Sequence, residues 1–305
     1  MDFSALIIKM LIFAILLLIG YVMAKKDIHT PSFVKGASSL LVNVFLPASV
    51  INSVLGERPD LSAGEFGEVI FLTTLTQVLY YVIAYLACLP LQKNEHTRQT
   101  ELMMANPNNL FVGLPILASL CGSEAVFYVG IATLPFNILF YSYGVWRLAS
   151  GKKEYKFNIK DMMSICLISS FVALAIFLWK IQVPVVISEF CSTIADGTVP
   201  LSMVIIGATM GKINPVSSFG EKRMYYTSLI RLIVCPVIAF FLCRMLTDNE
   251  VLLITCTVLS GCPVAVLTTA VSVQYGFDGT FTSKGIMVTT VLCMITIPLL
   301  LFILF

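Results

Sequence analysis

Residues 105–115 read ANPNNLFVGLP and place three asparagines, two prolines and a glycine inside an otherwise apolar run. Asparagine amides donate hydrogen bonds without ionising, and proline breaks a helix because it lacks a backbone N–H and clashes with the preceding turn. A helix that restarts after such a break presents unpaired N–H groups and about half a positive charge at its first residues. These groups can bind an anion such as a carboxylate and release it again.

The cysteines and histidines do not form a chemical site of their own. None of the nine cysteines belongs to a C-x-x-C pair, and nearly all lie in apolar runs, so we interpret them as small buried hydrophobic residues. The two histidines, His29 and His96, lie in polar connections without a clustered set of ligands. The sequence has no metalloprotease, serine-hydrolase or phosphate-loop motif. We therefore expect no metal, no cofactor, no enzymatic activity and no nucleic-acid partner.

The elements that carry residues 105–115 are membrane-spanning helices. The chain has 305 residues, of which 58% are hydrophobic and 12% are charged, and its mean hydropathy is +0.94. A soluble domain carries about twice this charged fraction. Apolar runs of about 20 residues, each long enough to cross a bilayer as a helix, recur along most of the sequence. The sequence therefore predicts an all-α polytopic membrane protein.

Ten spans fit the apolar runs. The predicted spans are 4–24, 35–56, 67–90, 98–121, 124–148, 162–183, 184–210, 223–246, 250–275 and 281–305. The first is longer than the core of a signal peptide and has no small-residue cleavage site, so we interpret it as a helix that stays in the protein. The seventh is interrupted by Glu189 and Asp196.

Lysine and arginine residues fall mostly in alternate connections of this ten-span arrangement. With the N-terminus outside, fourteen of them lie in inner connections or at the adjoining ends of spans, and three lie in or beside outer connections. Because positively charged connections stay on the cytoplasmic side, this bias predicts that both termini are extracytoplasmic. The sequence thus predicts a multi-pass protein of the cytoplasmic (plasma) membrane.

Five spans precede the basic cytoplasmic linker 150–161 and five follow it, which suggests two repeats, 1–149 and 162–305. Polar, proline and glycine residues recur in the two halves at separations of 153 to 156 positions. The matched pairs are Asn43 with Asp196, Pro47 with Pro200, Pro107 with Pro263, and Gly122 with Gly276. An odd number of spans inverts the second copy in the membrane, and inverted repeats are typical of secondary transporters. The alternative is a coincidence of prolines among apolar helices.

Pro107 and Pro263 lie near the centres of the fourth and ninth predicted spans, and each should divide its span into two half-helices. We expect Asn106 to cap the outer half of the fourth span and Pro107 to be its first helical residue. The inner half of the ninth span should begin at Pro263. Two helix N-termini would then meet near the middle of the bilayer and form an anion site.

Four further residues complete this predicted site. The amides of Asn108 and Asn109 add hydrogen-bond donors, and Gly113 and Gly261 should permit close approach of the backbone. The alternative is that the prolines only kink their helices and that the asparagines bond neighbouring helices. Paired breaks at matched positions of an inverted repeat favour the anion site.

Five stretches of the sequence carry a resemblance to a known family. NPNNLFVGLPILASLCG, from residue 106, and LSGCPVAVLTTAVSVQYGFD, from residue 259, resemble the auxin efflux carrier family. That family includes bacterial dicarboxylate transporters of the malonate type and the plant PIN auxin carriers. LVNVFLPASVINSV, DGTVPLSMVIIGATMGK and LIRLIVCPVI resemble its second, seventh and eighth helices. The resemblance covers nearly the whole chain and is to the bacterial type.

This resemblance implies ten helices in two inverted halves, with broken fourth and ninth helices that cross. It also implies a scaffold of helices one, two, six and seven, a transport unit of the other helices, and a homodimer. Substrate would lie at the crossing, formed by Pro107, Asn108 and Pro263, with Asn108 in contact with it. The plant carriers have a charged pair in helix three, whereas this chain has only Gln77 there, which argues against auxin as the substrate.

Other polar residues inside predicted spans have two interpretations each. Asp196 binds a coupling proton or ion, or it is a structural partner of a helix end or a polar neighbour. Arg231 attracts the anion, or it snorkels towards the inner surface. Gln77, Asn137 and Asn43 line the cavity, or they bond neighbouring helices.

The leading hypothesis is a secondary active transporter that moves a small organic anion, such as a mono- or dicarboxylate, by alternating access. A proton or a sodium ion is the candidate coupling ion. One alternative in the same class is a cation/proton antiporter of related fold, although no carboxylate accompanies the helix breaks. A different class is a non-transporting membrane sensor that uses the same fold.

Overall fold

The computed structural model describes residues 3–28, 31–55, 62–91, 95–150 and 165–305. These residues are mostly helical, and no strand occurs among them. The described residues contain one isolated antiparallel β-bridge, which pairs Pro107 with Val264. A helical chain suits a bilayer, because each backbone N–H and C=O must find its partner inside the protein.

The helices of the first half follow the apolar runs. They are α1 (Phe3–Lys25), α2 (Pro31–Leu40), α3 (Leu46–Asn52), α4 (Ala63–Cys88), α5 (Glu95–Ala105), α6 (Leu114–Leu139) and α7 (Val145–Ala149). Single π-helical turns join α2 to α3 (Leu41–Phe45), precede α6 (Asn109–Gly113) and join α6 to α7 (Phe140–Gly144). Such turns are frequent at functional sites.

The described residues of the second half form nine helices. They are α8 (Ile165–Leu178), α9 (Val185–Asp196), α10 (Thr198–Gly211), α11 (Pro215–Phe219), α12 (Lys222–Leu229), α13 (Cys235–Arg244), α14 (Glu250–Gly261), α15 (Leu267–Gln274) and α16 (Gly279–Leu304). One π-helical turn, Ile230–Val234, joins α12 to α13.

Seven stretches of the described residues are long and apolar enough to cross a membrane. They confirm the prediction of an all-α polytopic membrane protein. The ninth predicted span is not among them because it is divided into α14 and α15, and the outer half of the fourth merges with the fifth in the stretch Asn109–Ala149. The sixth, α8, has only 14 residues. The count of ten spans therefore stays a prediction.

Gly122 interrupts α6 at the boundary between the fourth and fifth predicted spans. Its φ is 70°, a left-handed conformation that glycine adopts without the clash of a Cβ atom. Gly276, its predicted counterpart, has a φ of 73° between α15 and α16. The shared conformation supports the inverted repeat, while the division into 1–149 and 162–305 stays a prediction. The predicted linker 150–161 lies outside the described residues except for Ser150.

Helices α1 and α10 pack backbone against backbone. A Cβ atom added at Gly20 would lie 2.0 Å from the carbonyl oxygen of Val204, and one at Gly207 would lie 1.9 Å from a carbonyl oxygen of α1. Small residues permit this approach between membrane helices. Beyond the helix ends, a 2.7 Å hydrogen bond from Lys212 holds the pKa of Asp27 below its usual range. Helices α1 and α10 lie in the first and seventh predicted spans, which the family resemblance assigns to the scaffold.

The largest hydrophobic core joins the two halves of the chain. Ile116 and Phe127 from α6 belong to one buried cluster with Leu252 and Leu259 from α14. Among the eight cysteines whose side-chain burial the structure describes, all but Cys121 are buried. This burial confirms their interpretation as small buried residues at seven positions.

Candidate functional site at the two helix breaks

An extended segment separates the two half-helices in both the fourth and the ninth predicted spans. α5 ends at Ala105, and a helical turn resumes at Asn109. α14 ends at Gly261, and α15 begins at Leu267. A proline lies in each segment, where the helix requires no N–H from it.

The two extended segments hydrogen-bond to each other. The N–H of Asn108 donates to the carbonyl of Pro263 at 2.8 Å, and the N–H of Ala265 donates to the carbonyl of Asn106 at 3.0 Å. These two bonds make up the antiparallel bridge described above. Each break therefore supplies backbone partners that the other has lost, as backbone at membrane depth requires.

The half-helices begin later than the sequence predicts. The predicted N-cap is Asn106, with Pro107 as the first helical residue, but Asn108 is the N-cap and its Oδ1 accepts the N–H of Phe111 at 3.3 Å. α15 begins four positions after Pro263 rather than at it. These predictions are wrong because the bridge holds both segments extended, and that pairing depends on a partner more than 150 positions away.

Arg231 is fully buried where the first half-helices of both spans end. Its guanidinium donates to the carbonyls of Cys262 and Met104, each at 3.0 Å, and to those of Leu259 and Ser260 at 3.1 and 2.8 Å. Carbonyls at a helix C-terminus lack partners in the helix and carry partial negative charge, so one cation stabilises the ends of α5 and α14. The interpretation of Arg231 as a snorkelling side chain is wrong. That the positive charge of Arg231 attracts the anion stays a prediction.

The side chains of Gln77 and Asn106 hydrogen-bond to protein groups beside the first break and stabilise it. The Gln77 amide donates to the carbonyl of Ala105 at 3.2 Å. The Asn106 amide donates to the carbonyl of Leu102 at 2.8 Å, and its Oδ1 accepts the hydroxyl of Tyr81 at 2.8 Å. Both side chains therefore satisfy protein groups. Of the two interpretations of Gln77, its position supports the bond between helices.

Sequence reasoning missed the two tyrosines of α4 that contact the breaks. Tyr81 holds the Asn106 side chain, as described above, and the ring of Tyr80 lies 4.6 Å from the Arg231 guanidinium. This distance is typical of a cation–π interaction. The Tyr80 hydroxyl also bonds the hydroxyl of Ser260. The available signal was a pair of adjacent aromatic hydroxyls about one helical turn after Gln77 in an apolar span.

A cavity of about 170 Å³ lies against the bridge, and we call it the crossing cavity. Its lining residues are Val42, Pro107, Asn108, Asn109, Leu110, Phe111, Thr133, Phe136, Asn137, Tyr141, Ala265, Val266 and Leu267. Of the nine residues predicted to bind substrate, four line this cavity, namely Pro107, Asn108, Asn109 and Asn137. The other five lie around the breaks but not in its walls: Gln77, Asn106, Gly113, Gly261 and Pro263.

Two polar atoms of the crossing cavity's wall residues lack partners among the described residues. Nδ2 of Asn108 and Oδ1 of Asn109 are buried and make no hydrogen bond. The two polar atoms of the Asn108 amide therefore differ: the oxygen caps the helix, and the nitrogen makes no hydrogen bond. A buried donor without a partner costs about 1–3 kcal/mol, which a bound acceptor can recover.

Two helix N-termini also reach the crossing cavity. Asn109 and Leu110 begin the outer half of the fourth span, and Val266 and Leu267 begin α15. All four line the cavity. The first N–H groups of a helix have no partner in the helix, and each N-terminus carries about half a positive charge. The cavity wall therefore offers several donors and a positive potential to an acceptor.

The two glycines predicted to permit close approach differ. A Cβ atom at Gly113 would lie 2.7 Å from Cδ2 of Leu259 and 3.1 Å from Sγ of Cys262, so α14 approaches closely there. At Gly261 the nearest heavy atom would lie at 3.6 Å, which is an ordinary contact. The prediction for Gly261 is wrong because the end of α14 faces side chains with room between them. Asn137 donates to the carbonyl of Thr133 at 2.8 Å while it lines the cavity.

Asp196 lies outside the crossing cavity. It is the last residue of α9 and lines a second cavity of about 310 Å³. Its carboxylate is exposed and has no hydrogen-bond partner among the described residues, which does not support the structural interpretation. A coupling role for Asp196 stays a prediction.

A comparison with known proteins identifies the family of the chain. The chain matches the family described as Membrane transport protein over residues 5–165 and 154–301. Together the two stretches cover nearly the whole chain. No curated protein matches it.

Proposed function

We propose that this chain, which belongs to the auxin efflux carrier family of membrane transport proteins, is a secondary active carrier of a small organic anion. Family membership and the apolar helices make it a multi-pass membrane transporter, with a transported substrate and a lipid bilayer as its partners. The anion, the route and the mechanism are the proposal. Substrate binds in the crossing cavity and crosses the cytoplasmic membrane by alternating access.

The unpartnered amide nitrogen of Asn108 is the observation that carries this proposal. It is buried in the residue that also caps the outer half-helix. An acceptor with negative charge would take its N–H together with free backbone N–H groups of both half-helices. A cation placed there would meet these donors and the positive ends of both half-helices, with Oδ1 of Asn109 as an unpartnered acceptor. The antiporter alternative is weakened for the same reason, since no described residue of the cavity wall is a carboxylate.

The walls of the crossing cavity favour one carboxylate on a small apolar body. Val42, Phe111, Phe136 and Tyr141 are among its large, mostly apolar lining residues. No described lining residue carries a positive charge that a second carboxylate could meet. The volume of about 170 Å³ lies below the range of about 300–1,000 Å³ that is typical of drug-sized ligands. A monocarboxylate therefore fits better than a dicarboxylate.

The contacts of the two broken spans support the proposal of alternating access. The bridge and Arg231 tie the broken spans together through backbone hydrogen bonds, so they would move as one unit. The seam between α1 and α10 would belong to a fixed scaffold. The proposal includes a homodimer, both termini outside, and a proton or sodium ion as coupling ion.

Flux of radiolabelled carboxylates into liposomes that contain the purified protein tests the proposal. Monocarboxylates with an apolar body should enter, dicarboxylates should enter more slowly, and Asn108→Ala should reduce both rates. A sensor would bind the anion without net flux. Absence of carboxylate binding by the folded protein would contradict both the carrier and this site.

A further inference from the structure

A second cavity, of about 310 Å³, lies where α3, the first turns of α6 and the junction of α9 with α10 meet. We call it the hydroxyl cavity because most of its polar lining is Ser or Thr. The polar side chains of its wall are Ser49, Asn52, Ser53, Ser119, Ser123, Asp196 and Thr198. None of its described lining residues is basic. By the predicted topology it opens to the outer side, where α3 ends.

The carboxylate of Asp196 is the charged group of this cavity. It has no ion pair or hydrogen bond among the described residues. Ser119 and Ser123 likewise have no hydrogen bond within the described part of the chain, so their oxygens are available. The hydroxyls of Ser49 and Thr198 lie 2.7 Å apart, and either can accept. Carboxylate and hydroxyl oxygens are the ligands that hard cations prefer.

The local helix ends add to the negative potential. α3 ends at Asn52, and the residues of its last turn line the cavity, so the negative end of its dipole faces the cavity. At Gly122 and Gly197 one helix ends directly beside the start of the next. Their opposed ends largely cancel. One carboxylate and one helix C-terminus therefore set the sign of the potential.

We propose that the hydroxyl cavity binds a monovalent alkali cation the size of sodium. One carboxylate balances one positive charge, which favours a monovalent over a divalent ion. The cavity is larger than a bare ion, so the cation keeps part of its water, and serine and threonine oxygens replace the rest. The hydroxyl cavity and the crossing cavity thus have opposite preferences, the first for a cation and the second for an anion.

The position of the hydroxyl cavity between scaffold and transport unit would couple cation binding to their relative movement. This step rests on the proposed carrier function. The family resemblance places α3, α9 and α10 in the scaffold and the first part of α6 in the transport unit. A cation held by Asp196 and by Ser119 or Ser123 would bridge the two units. Binding would then depend on their relative position, and this dependence is what ion coupling requires.

Thermal unfolding of the purified protein in NaCl, KCl and choline chloride at constant ionic strength tests the binding itself. Sodium should raise the Tm of the wild type with a saturable, millimolar midpoint, and choline should not. Asp196→Asn should abolish the shift, and Ser123→Ala should weaken the sodium midpoint several-fold. Asp248→Asn is the matched control, because Asp248 is an exposed carboxylate outside the cavity.

Equilibrium binding of radioactive sodium to the same proteins gives a second readout that does not depend on Tm. Equal responses of the wild type and Asp196→Asn, or equal shifts in sodium and choline, would overturn the inference. So would the absence of any sodium response in the wild type. No carboxylate is present in these assays, so the result separates this inference from the proposed carrier function.

Discussion

Gln77 and Arg231 lie 154 positions apart, and each donates a side-chain hydrogen bond to a carbonyl at the end of a half-helix. Gln77 donates to Ala105 at the end of α5, and Arg231 donates to Ser260 in the last turn of α14. Gly122 and Gly276, which share a positive φ, have the same separation. The two halves therefore keep the position of the donor but change its charge. The surplus positive charge beside the breaks suits the anionic cargo that we propose.

Arg231→Lys should lower the Tm and the free energy of unfolding. A lysine cannot reproduce the planar fork that reaches four carbonyls, so at least one buried carbonyl would lose its partner, at a cost of about 1–3 kcal/mol. Thermal and denaturant unfolding of the purified protein measure this loss. Arg244→Lys is the matched control, because Arg244 is exposed at the end of α13. Equal stabilities of the two variants would contradict the capping role.

Asn108→Ala should weaken binding of a monocarboxylate about tenfold or more, since a hydrogen bond to a charged group contributes about 1.5–3 kcal/mol. Asn108→Asp should bind more weakly still, because it adds a negative charge where the anion lies. A binding titration on variants with a normal melting profile measures both effects. Asn43→Ala is the control, as the Asn43 amide is exposed and bonds Ser39. Wild-type affinity in Asn108→Asp would exclude the anion site.

Gly113→Ala and Gly261→Ala should have different consequences. The first puts a methyl group 2.7 Å from Leu259, and such overpacking costs about 1–3 kcal/mol. The second meets nothing closer than 3.6 Å in a helical residue, so stability should stay unchanged or rise by up to about 1 kcal/mol. Melting curves of the two variants, measured side by side, decide between them. Similar destabilisation by both would contradict the prediction and would mean that the space beside Gly261 is occupied in solution.

Reporter fusions should place both termini on the outer side of the membrane. The bias of fourteen basic residues against three in or beside the predicted connections is the physical reason. A periplasm-active and a cytoplasm-active enzyme, each fused to either end, measure the orientation. An inner C-terminus would show that one of the ten predicted spans does not cross.

Asp196→Asn should abolish accumulation of the carboxylate driven by an ion gradient, while exchange of substrate across the membrane continues. The uncharged amide keeps the shape of the side chain but removes the charge that would hold the coupling ion. Proteoliposomes with an imposed sodium gradient, and separately with a pH gradient, identify the ion. Unchanged accumulation under both gradients would mean that Asp196 has no part in coupling.

Sequence reasoning located the two breaks because proline and glycine act on their own helix. It placed the half-helix starts at Pro107 and Pro263 and missed the true starts, because residues 106–108 and 263–265 are held extended by hydrogen bonds to each other. A local capping pattern contains no information about a partner in the other half. For Gln77 the sequence offers a bond to a neighbouring helix as one interpretation but cannot name the acceptor, and for Arg231 it does not predict the bonds to carbonyls at all. Their acceptors are backbone carbonyls, which every residue has and no motif marks.

The sequence also predicts only part of the lining of the crossing cavity. Asn108 and Asn109 were predicted to face it because they follow the break directly. Two residues of its apolar wall, Phe136 and Tyr141, come from α6 and the turn after it, and nothing in the sequence of that span sets these side chains apart from lipid-facing ones. Only the packing of α6 against the breaks assigns them to the cavity.

The bridge between the two breaks has a consequence for biosynthesis. The ribosome completes the segment with Asn106 and Asn108 before it has made the segment with Pro263 and Ala265. Until the later segment arrives, the backbone groups of the earlier one have no partner in the newly inserted half. The first half therefore remains incompletely folded in the membrane until the second half is inserted. Chains truncated before residue 262 should be degraded rather than accumulate.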